Sequence, residues 1–196
     1  MAIRRIGVLT GGGDCPGLNA GIRSVVRTAT GVHGLEVVGF RYGWRGVLQG
    51  ESMPLDRVAV QGLLQRGGTI LGSSPVDPMR EGGASIVASR LDEMGVDAVL
   101  ALGGEGTLTA AARLAAEGIP VIGIPKTIDN DLAGTEACIG AATAVQIASD
   151  AIDRLHTTAE SHDRLMIVEV MGRSAGWIAL DAGLAGGANM ILIPEI

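Results

Sequence analysis

One pattern constrains this chain more than any other. Apolar runs stop abruptly at glycine or proline, and each gives way to a stripe of apolar residues at helical spacing. Residues 6–10 run into Gly11-Gly12-Gly13, after which Leu18, Ile22, Val25, Val26 and Ala29 recur on one helical face. Residues 98–102 meet Gly103-Gly104, Thr107 then opens a stripe of Leu108, Ala111, Leu114 and Ala115, and Gly118 closes it. Residues 121–124 end at Pro125. Further strands are expected at 36–41, 165–170 and 190–193. Ser85 is expected to cap a helix carrying Ile86, Leu91 and Met94 and closed by Gly95. Ser174 is expected to cap another, running to about Ala185. The longest helix is expected over 141–158, with Val145, Ala148, Ile152 and Leu155 on its buried side. Strands that are apolar throughout, alternating with helices, are buried on both faces. The chain is therefore expected to be α/β: a doubly wound, mostly parallel sheet with helices on both sides.

Composition narrows the function. At 196 residues, 47% of them hydrophobic, the chain can form one domain with a substantial core. Its net charge of −6 argues against nucleic acid as the main partner. The 31 glycines follow no collagen or linker period, so they are expected at tight turns and close backbone approaches. Lys126 is the single lysine, so any lysine chemistry falls there. Cys15 and Cys138 make no disulfide framework, and no uncharged apolar run approaches the ~20 residues of a membrane span. No signal peptide opens the chain. A soluble, cytoplasmic protein without a membrane partner is expected. The chain stops at Pro194-Glu195-Ile196, directly after an expected strand, which reads as a cut.

In open parallel sheets, ligands sit beyond the carboxyl ends of the strands. Four such ends are rich in glycine or polar residues. Gly11-Gly12-Gly13-Asp14 suits a phosphate, or is a plain strand-to-helix turn. It fails the spacing of the dinucleotide fingerprint, and Lys126 lacks the glycines of a Walker loop. Gly103-Gly104-Glu105-Gly106-Thr107 repeats the arrangement with a carboxylate that can meet a metal, or that merely favours a helix N-terminus. Pro125-Lys126-Thr127-Ile128-Asp129-Asn130-Asp131 gathers two carboxylates, a hydroxyl and an ammonium. They suit a Mg²⁺ ligand and a general base, or an Asx-rich turn. Met171-Gly172-Arg173 follows a run containing Glu169, and its guanidinium can balance a transferring phosphoryl group or lie on the surface. His33, His156 and His162 lack metal-binding spacing.

These segments, with Gly7-Val8-Leu9-Thr10 before the first and Arg66-Gly67-Gly68-Thr69 between, resemble the N-terminal part of the 6-phosphofructokinase family, in the family's order, from Ile6 to Glu195. The resemblance implies a nucleotide-binding domain over 1–196, with the later, substrate-completing part absent. It implies Mg²⁺-dependent transfer from ATP to fructose 6-phosphate, a glycolytic step. Asp129 matches the base on the sugar 1-hydroxyl and Thr127 a residue touching the transferred phosphate. Glu105 stands where the family usually has a Mg²⁺-binding Asp, accompanied by Asp131. Gly11, Gly104, Gly106 and Thr107 fall at nucleotide-binding positions, and Trp44 at an aromatic position beside adenine. Arg173 matches a transition-state and substrate Arg, with Met171 and Gly172 beside the sugar. Arg164 matches an Arg reaching a neighbouring subunit's substrate phosphate, which implies a homodimer or homotetramer at full length. Arg23 and Arg27 match an effector-binding pair, an allosteric feature.

Three departures from the family's pattern stand out. Gly72-Ser73-Ser74 is followed by Pro75, where many relatives carry an Arg on the donor phosphates; Arg80 is the candidate substitute. Donor markers are mixed: Gly106 resembles ATP users and Lys126 resembles diphosphate users. The sugar-phosphate site lacks its later half. ATP is the expected donor, a diphosphate-dependent phosphofructokinase is the first alternative, and a truncated, non-catalytic nucleotide-binding fragment is the second.

Overall fold

The computed structural model describes residues 3–196, which divide into two compact units at Lys126 and Thr127. The first unit contains β1 (Arg5–Thr10), α1 (Leu18–Val32), β2 (Glu36–Phe40), α2 (Trp44–Gln49), β3 (Ser52–Pro54), α3 (Gly83–Glu93), β4 (Ala98–Gly103) and α4 (Glu105–Ala116). β5 (Val121–Thr127) closes it and runs one residue past the boundary.

The strands of this unit lie in the order β3-β2-β1-β4-β5. β1 pairs in parallel with both β2 and β4, and β4 pairs in parallel with β5; β3 alone runs antiparallel. The winding therefore goes outward in one direction from β1 to β3, then restarts at β4 and goes the other way. The reversal falls between β1 and β4, the topological switch point where ligands of such sheets bind.

Strand alternation sends neighbouring side chains to opposite faces. Leu9 of β1 and Val99 and Ala101 of β4 join one apolar cluster with Val87 and Leu91 of α3 and Ala111 and Leu114 of α4. Val8, on the other face, is fully buried, as are Ile22 and Val26 on the inner stripe of α1, which packs on β2. The expected doubly wound, mostly parallel α/β sheet is thus present in this unit. At its amino end, the backbone N–H groups of Arg4 and Arg5 donate to Asp97 Oδ2 at 2.7 and 2.9 Å, which ties the start of β1 to the approach of β4. These two bonds hold the Asp97 carboxyl below its ordinary range.

The second unit contains the two-residue strand β6 (Ile139–Gly140), the long helix α5 (Ala141–His162) and α6 (Trp177–Ala185). Ala148, Val145 and Ile152 of α5 pack with Ile178 and Ala182 of α6.

Several expectations are corrected. The runs 165–170 and 190–193 form no strand. An apolar run becomes a strand only where a neighbour takes up its N–H and C=O groups, and no ladder reaches these segments. Leu165 and Leu192 are 90% and 81% exposed. Ser85 does not cap α3, because the helix begins two residues earlier behind Gly82, whose left-handed φ of 113° suits glycine. Ser174 likewise makes no cap, and α6 starts behind Gly176. α4 opens at Glu105, with Thr107 already inside its first turn.

Candidate polyphosphate cradle and acidic loop

The ends of β1 and β4 are in register, with Thr10 opposite Leu102, and the Gly11 N–H donates to the Leu102 carbonyl at 2.9 Å. The two glycine-rich loops therefore leave the sheet side by side. Their closeness excludes side chains: a Cβ on Gly11 or on Gly103 would overlap Thr107. Thr107 is buried, so it acts as the wedge over which both loops fold. Gly12 adopts a left-handed φ of 79°. Gly104 precedes the first turn of α4, and no side chain caps that helix end. Glu105 and Gly106 are exposed there, and a Cβ on Gly106 would meet nothing within 4 Å. Backbone N–H groups at a helix start beside a second glycine turn form the type of surface that receives phosphate.

Supports under these loops come from Lys126, already singled out in the sequence, and from Asn19, which sequence reasoning passed over. Lys126 is buried and its Nζ donates to the Gly13 carbonyl at 2.8 Å, which pins the first loop to the end of β5. Asn19 is buried in the first turn of α1. Its Nδ2 donates to the carbonyls of Arg66 and Gly67, and its Oδ1 accepts from the Ile70 N–H at 2.9 Å. The Arg66-Gly67-Gly68-Thr69 turn is thereby held against α1. Thr10 Oγ1 bonds Thr69 Oγ1 at 2.8 Å and donates to the Gly72 carbonyl. A buried Asn amid an apolar helical stripe was the available signal, since such an amide demands partners.

Trp44 is enclosed, with 3% of its surface exposed, and its indole N–H donates to the Thr107 carbonyl at 3.3 Å. Its ring is part of the core cluster rather than an open face. Arg80 is an exposed side chain paired with Asp77 at 3.6 Å. Arg23 and Arg27 project from α1, half-buried and exposed respectively.

In the second unit, the acidic loop is a set of local turns. The Asp129 N–H donates to Thr127 Oγ1 at 3.1 Å. Asn130 takes a left-handed φ of 51°, and its Oδ1 accepts the Cys138 N–H at 2.8 Å. That bond returns the chain upon itself and leaves Asp131 exposed. Burial pushes the Cys138 thiol up, and the Asp131 charge adds to the effect. Arg173 also has a left-handed φ, of 53°, behind Gly172 at 145°. Non-glycine residues in this region are uncommon and cost strain, and they concentrate at functional sites. Met171, Arg173 and Arg164 are exposed. Among the described residues, no three His, Cys, Asp or Glu side chains gather to hold a metal. Mg²⁺ is commonly held by one or two carboxylates and the substrate's own phosphates, so Glu105 and Asp131 suit it chemically.

Comparison with known proteins identifies the family and the fold. The family described as phosphofructokinase matches residues 5–196. The pyrophosphate–fructose 6-phosphate 1-phosphotransferase of Amycolatopsis methanolica is 63% identical over 192 residues, covering 97% of this chain and 56% of that protein. The ATP-dependent 6-phosphofructokinase of Mycobacterium leprae is 56% identical over 198 residues, covering 97% and 56% respectively. The chain thus spans about half the length of the curated relatives it matches. The phosphofructokinase structure from Saccharomyces cerevisiae superposes with a TM-score of 0.86 at 38% identity, covering 98% of this chain and 29% of that one. The pyrophosphate-dependent phosphofructokinase of Marinobacter aquaeolei gives 0.86 at 28% identity, covering 99% and 54%. With a family match across nearly its whole length, this chain belongs to the phosphofructokinase family.

Proposed function

We propose that this chain carries the donor cradle and the hydroxyl-activating loop for Mg²⁺-dependent phosphoryl transfer from ATP to fructose 6-phosphate, giving fructose 1,6-bisphosphate in glycolysis. The observation that carries the reading is the pair of glycine loops leaving β1 and β4 in register at the switch point. Gly11, Gly104, Gly106 and Thr107 present backbone to the donor phosphates. The enclosed Trp44 backs this cradle through its bond to Thr107. Asp129 takes the proton of the sugar 1-hydroxyl. The resulting oxygen attacks the γ-phosphorus, the bond to the β-phosphate oxygen breaks, and ADP leaves. Thr127 contacts the group in flight, and Arg173 balances its charge. Glu105 and Asp131 are the carboxylates that would hold Mg²⁺, which when bound would supply charge neutralisation on the donor phosphates. Met171 and Gly172 border the sugar, Arg164 serves a neighbouring subunit's substrate phosphate in a homodimer or homotetramer, and Arg23 with Arg27 forms an effector site. The setting is cytoplasmic; among the described residues no helix is long and apolar enough to cross a membrane.

A second reading has its own support. The relatives at 60–63% identity are named for pyrophosphate, and Lys126 sits at the base of the first loop. On that reading pyrophosphate is the donor and orthophosphate the leaving group. The openness at Gly106, which leaves room for an α-phosphate, favours ATP. A third reading is a nucleotide-binding fragment without turnover. A coupled assay for fructose 1,6-bisphosphate separates the three. It is run with ATP and with pyrophosphate, on this chain and on a chimera in which it replaces the matching part of the M. leprae relative. ATP-driven turnover in the chimera is expected, and Asp129→Asn should lower it by ~10²–10⁴-fold. Pyrophosphate-driven turnover alone would give the second reading. An Asp129→Asn chimera within a few-fold of its parent would remove Asp129 from the base role.

A further inference from the structure

We propose that Arg45, with Arg41 beside it, provides a side-chain cationic contact for the polyphosphate chain of the phosphoryl donor; this rests on the donor reading above. The glycine loops offer backbone dipoles, but a polyphosphate brings several full negative charges. The Lys126 ammonium is buried and donates to the Gly13 carbonyl, and Arg80 is occupied with Asp77 at 3.6 Å. The segment after β2 brings two more guanidinium groups to the same end of the sheet.

Three consecutive residues tie that segment to the cradle. The Tyr42 N–H donates to the Leu71 carbonyl at 2.8 Å, and Ser74 Oγ donates to the Tyr42 carbonyl at 2.6 Å. Gly43 is pressed against the end of β1: a Cβ there would lie 3.0 Å from the Thr10 carbonyl and 3.9 Å from Gly11 Cα. Trp44 bonds Thr107. Tyr42 itself is held at a left-handed φ of 59°, a costly conformation for an aromatic residue that persists only because its surroundings fix it. Two guanidinium groups stack on its ring, with Arg45 Cζ 4.2 Å and Arg41 Cζ 5.2 Å from the ring centre. The ring edge abuts Gly72.

Arg45 is the stronger candidate of the two. Its Nε is buried and has no hydrogen-bond partner, and its ion pair with Glu51 is long, at 3.8 Å. With Nε sealed, the 37% of the side chain that is exposed leaves the outer end of the guanidinium for an anion's oxygens to reach. The planar fork, already oriented by the Tyr42 ring, is suited to phosphate oxygens.

Calorimetric titration of this chain with ATP, with pyrophosphate and with adenosine tests the assignment. Arg45→Met is expected to weaken ATP binding about tenfold and leave adenosine binding unchanged. Arg45→Lys should restore part of the loss, and Glu51→Gln, which frees the guanidinium, should tighten ATP. An equal loss for pyrophosphate supports a contact with the shared diphosphate. A loss confined to ATP supports a contact with the nucleotide's remaining phosphate. Thermal melts establish that each variant folds. Should Arg45→Met fail to fold, Arg45→Lys and Glu51→Gln carry the test. ATP affinity within twofold of the parent in all folded variants would overturn the proposal, as would an equal loss of adenosine binding. A parent chain that binds neither ATP nor pyrophosphate would refute the donor reading, and this proposal with it.

Discussion

Thr107 and Gly11 show how much of the cradle rests on single atoms. Gly11 is glycine because Thr107 occupies the space its side chain would fill. Gly11→Ala is expected to cost about 1–3 kcal/mol of stability, the usual range for overpacking a closed site. Thr107→Ala removes Oγ1 and Cγ2, the two atoms nearest the new methyl, so the double variant should regain most of that loss. Chemical denaturation of the four species in the cycle measures it. At this scale the sequence was only partly legible. The Gly-Gly-Gly turn was visible as a turn, and the carboxylates of the acidic loop were visible as a cluster. Nothing in the order of residues shows that Thr107 wedges two loops, that Lys126 reaches back 113 positions to Gly13, or that Asn19 holds the 66–70 turn. Each of these contacts joins residues that only the fold brings together.

At the scale of elements, the amino end of β1 is fastened to the approach of β4 by one carboxylate. Two backbone N–H groups bond Asp97, and its pKa is lowered in the folded state relative to the unfolded chain. Its contribution is therefore complete above the unfolded value, roughly 4, and is lost as pH falls through the lower folded value. Asp97→Asn should lower the denaturation midpoint near neutrality and match the parent more closely in acid. A pH series of denaturant melts on both proteins checks the sign; a difference that grows toward acid would contradict it. The elements themselves were legible in proportion to the strength of their periodicity. β1, α1, β2, β4, α4 and the start of α5 fall within a residue or two of the reading. α2 and β3 were missed because six and three residues are too short to display a period. The runs 165–170 and 190–193 have the composition of buried strands, yet pairing is a property of two segments, and one segment's sequence does not reveal it. The start of α3 was misplaced because the left-handed φ of Gly82 replaced the expected serine cap, and α6 starts behind Gly176 with no side-chain cap at all.

At the scale of the whole molecule, the second unit leaves large apolar side chains in water: Leu165, Ile167, Met171, Met190 and Leu192 are each more than 70% exposed. Apolar surface of this kind drives association. The isolated chain is expected to sediment as dimers or larger species at micromolar concentration, and Leu165→Ser with Leu192→Ser should shift it toward monomer. A parent that stays monomeric across that range would show that these side chains are tolerated in water. The most direct test of the donor cradle is amide-resolved NMR of this chain during titration with ATP and with pyrophosphate. The expected result is saturable shifts at Gly11, Gly12, Gly13 and Asp14 and at Gly104, Glu105, Gly106 and Thr107, at the reversal between β1 and β4. Saturable shifts elsewhere, with those eight amides unmoved, would contradict it.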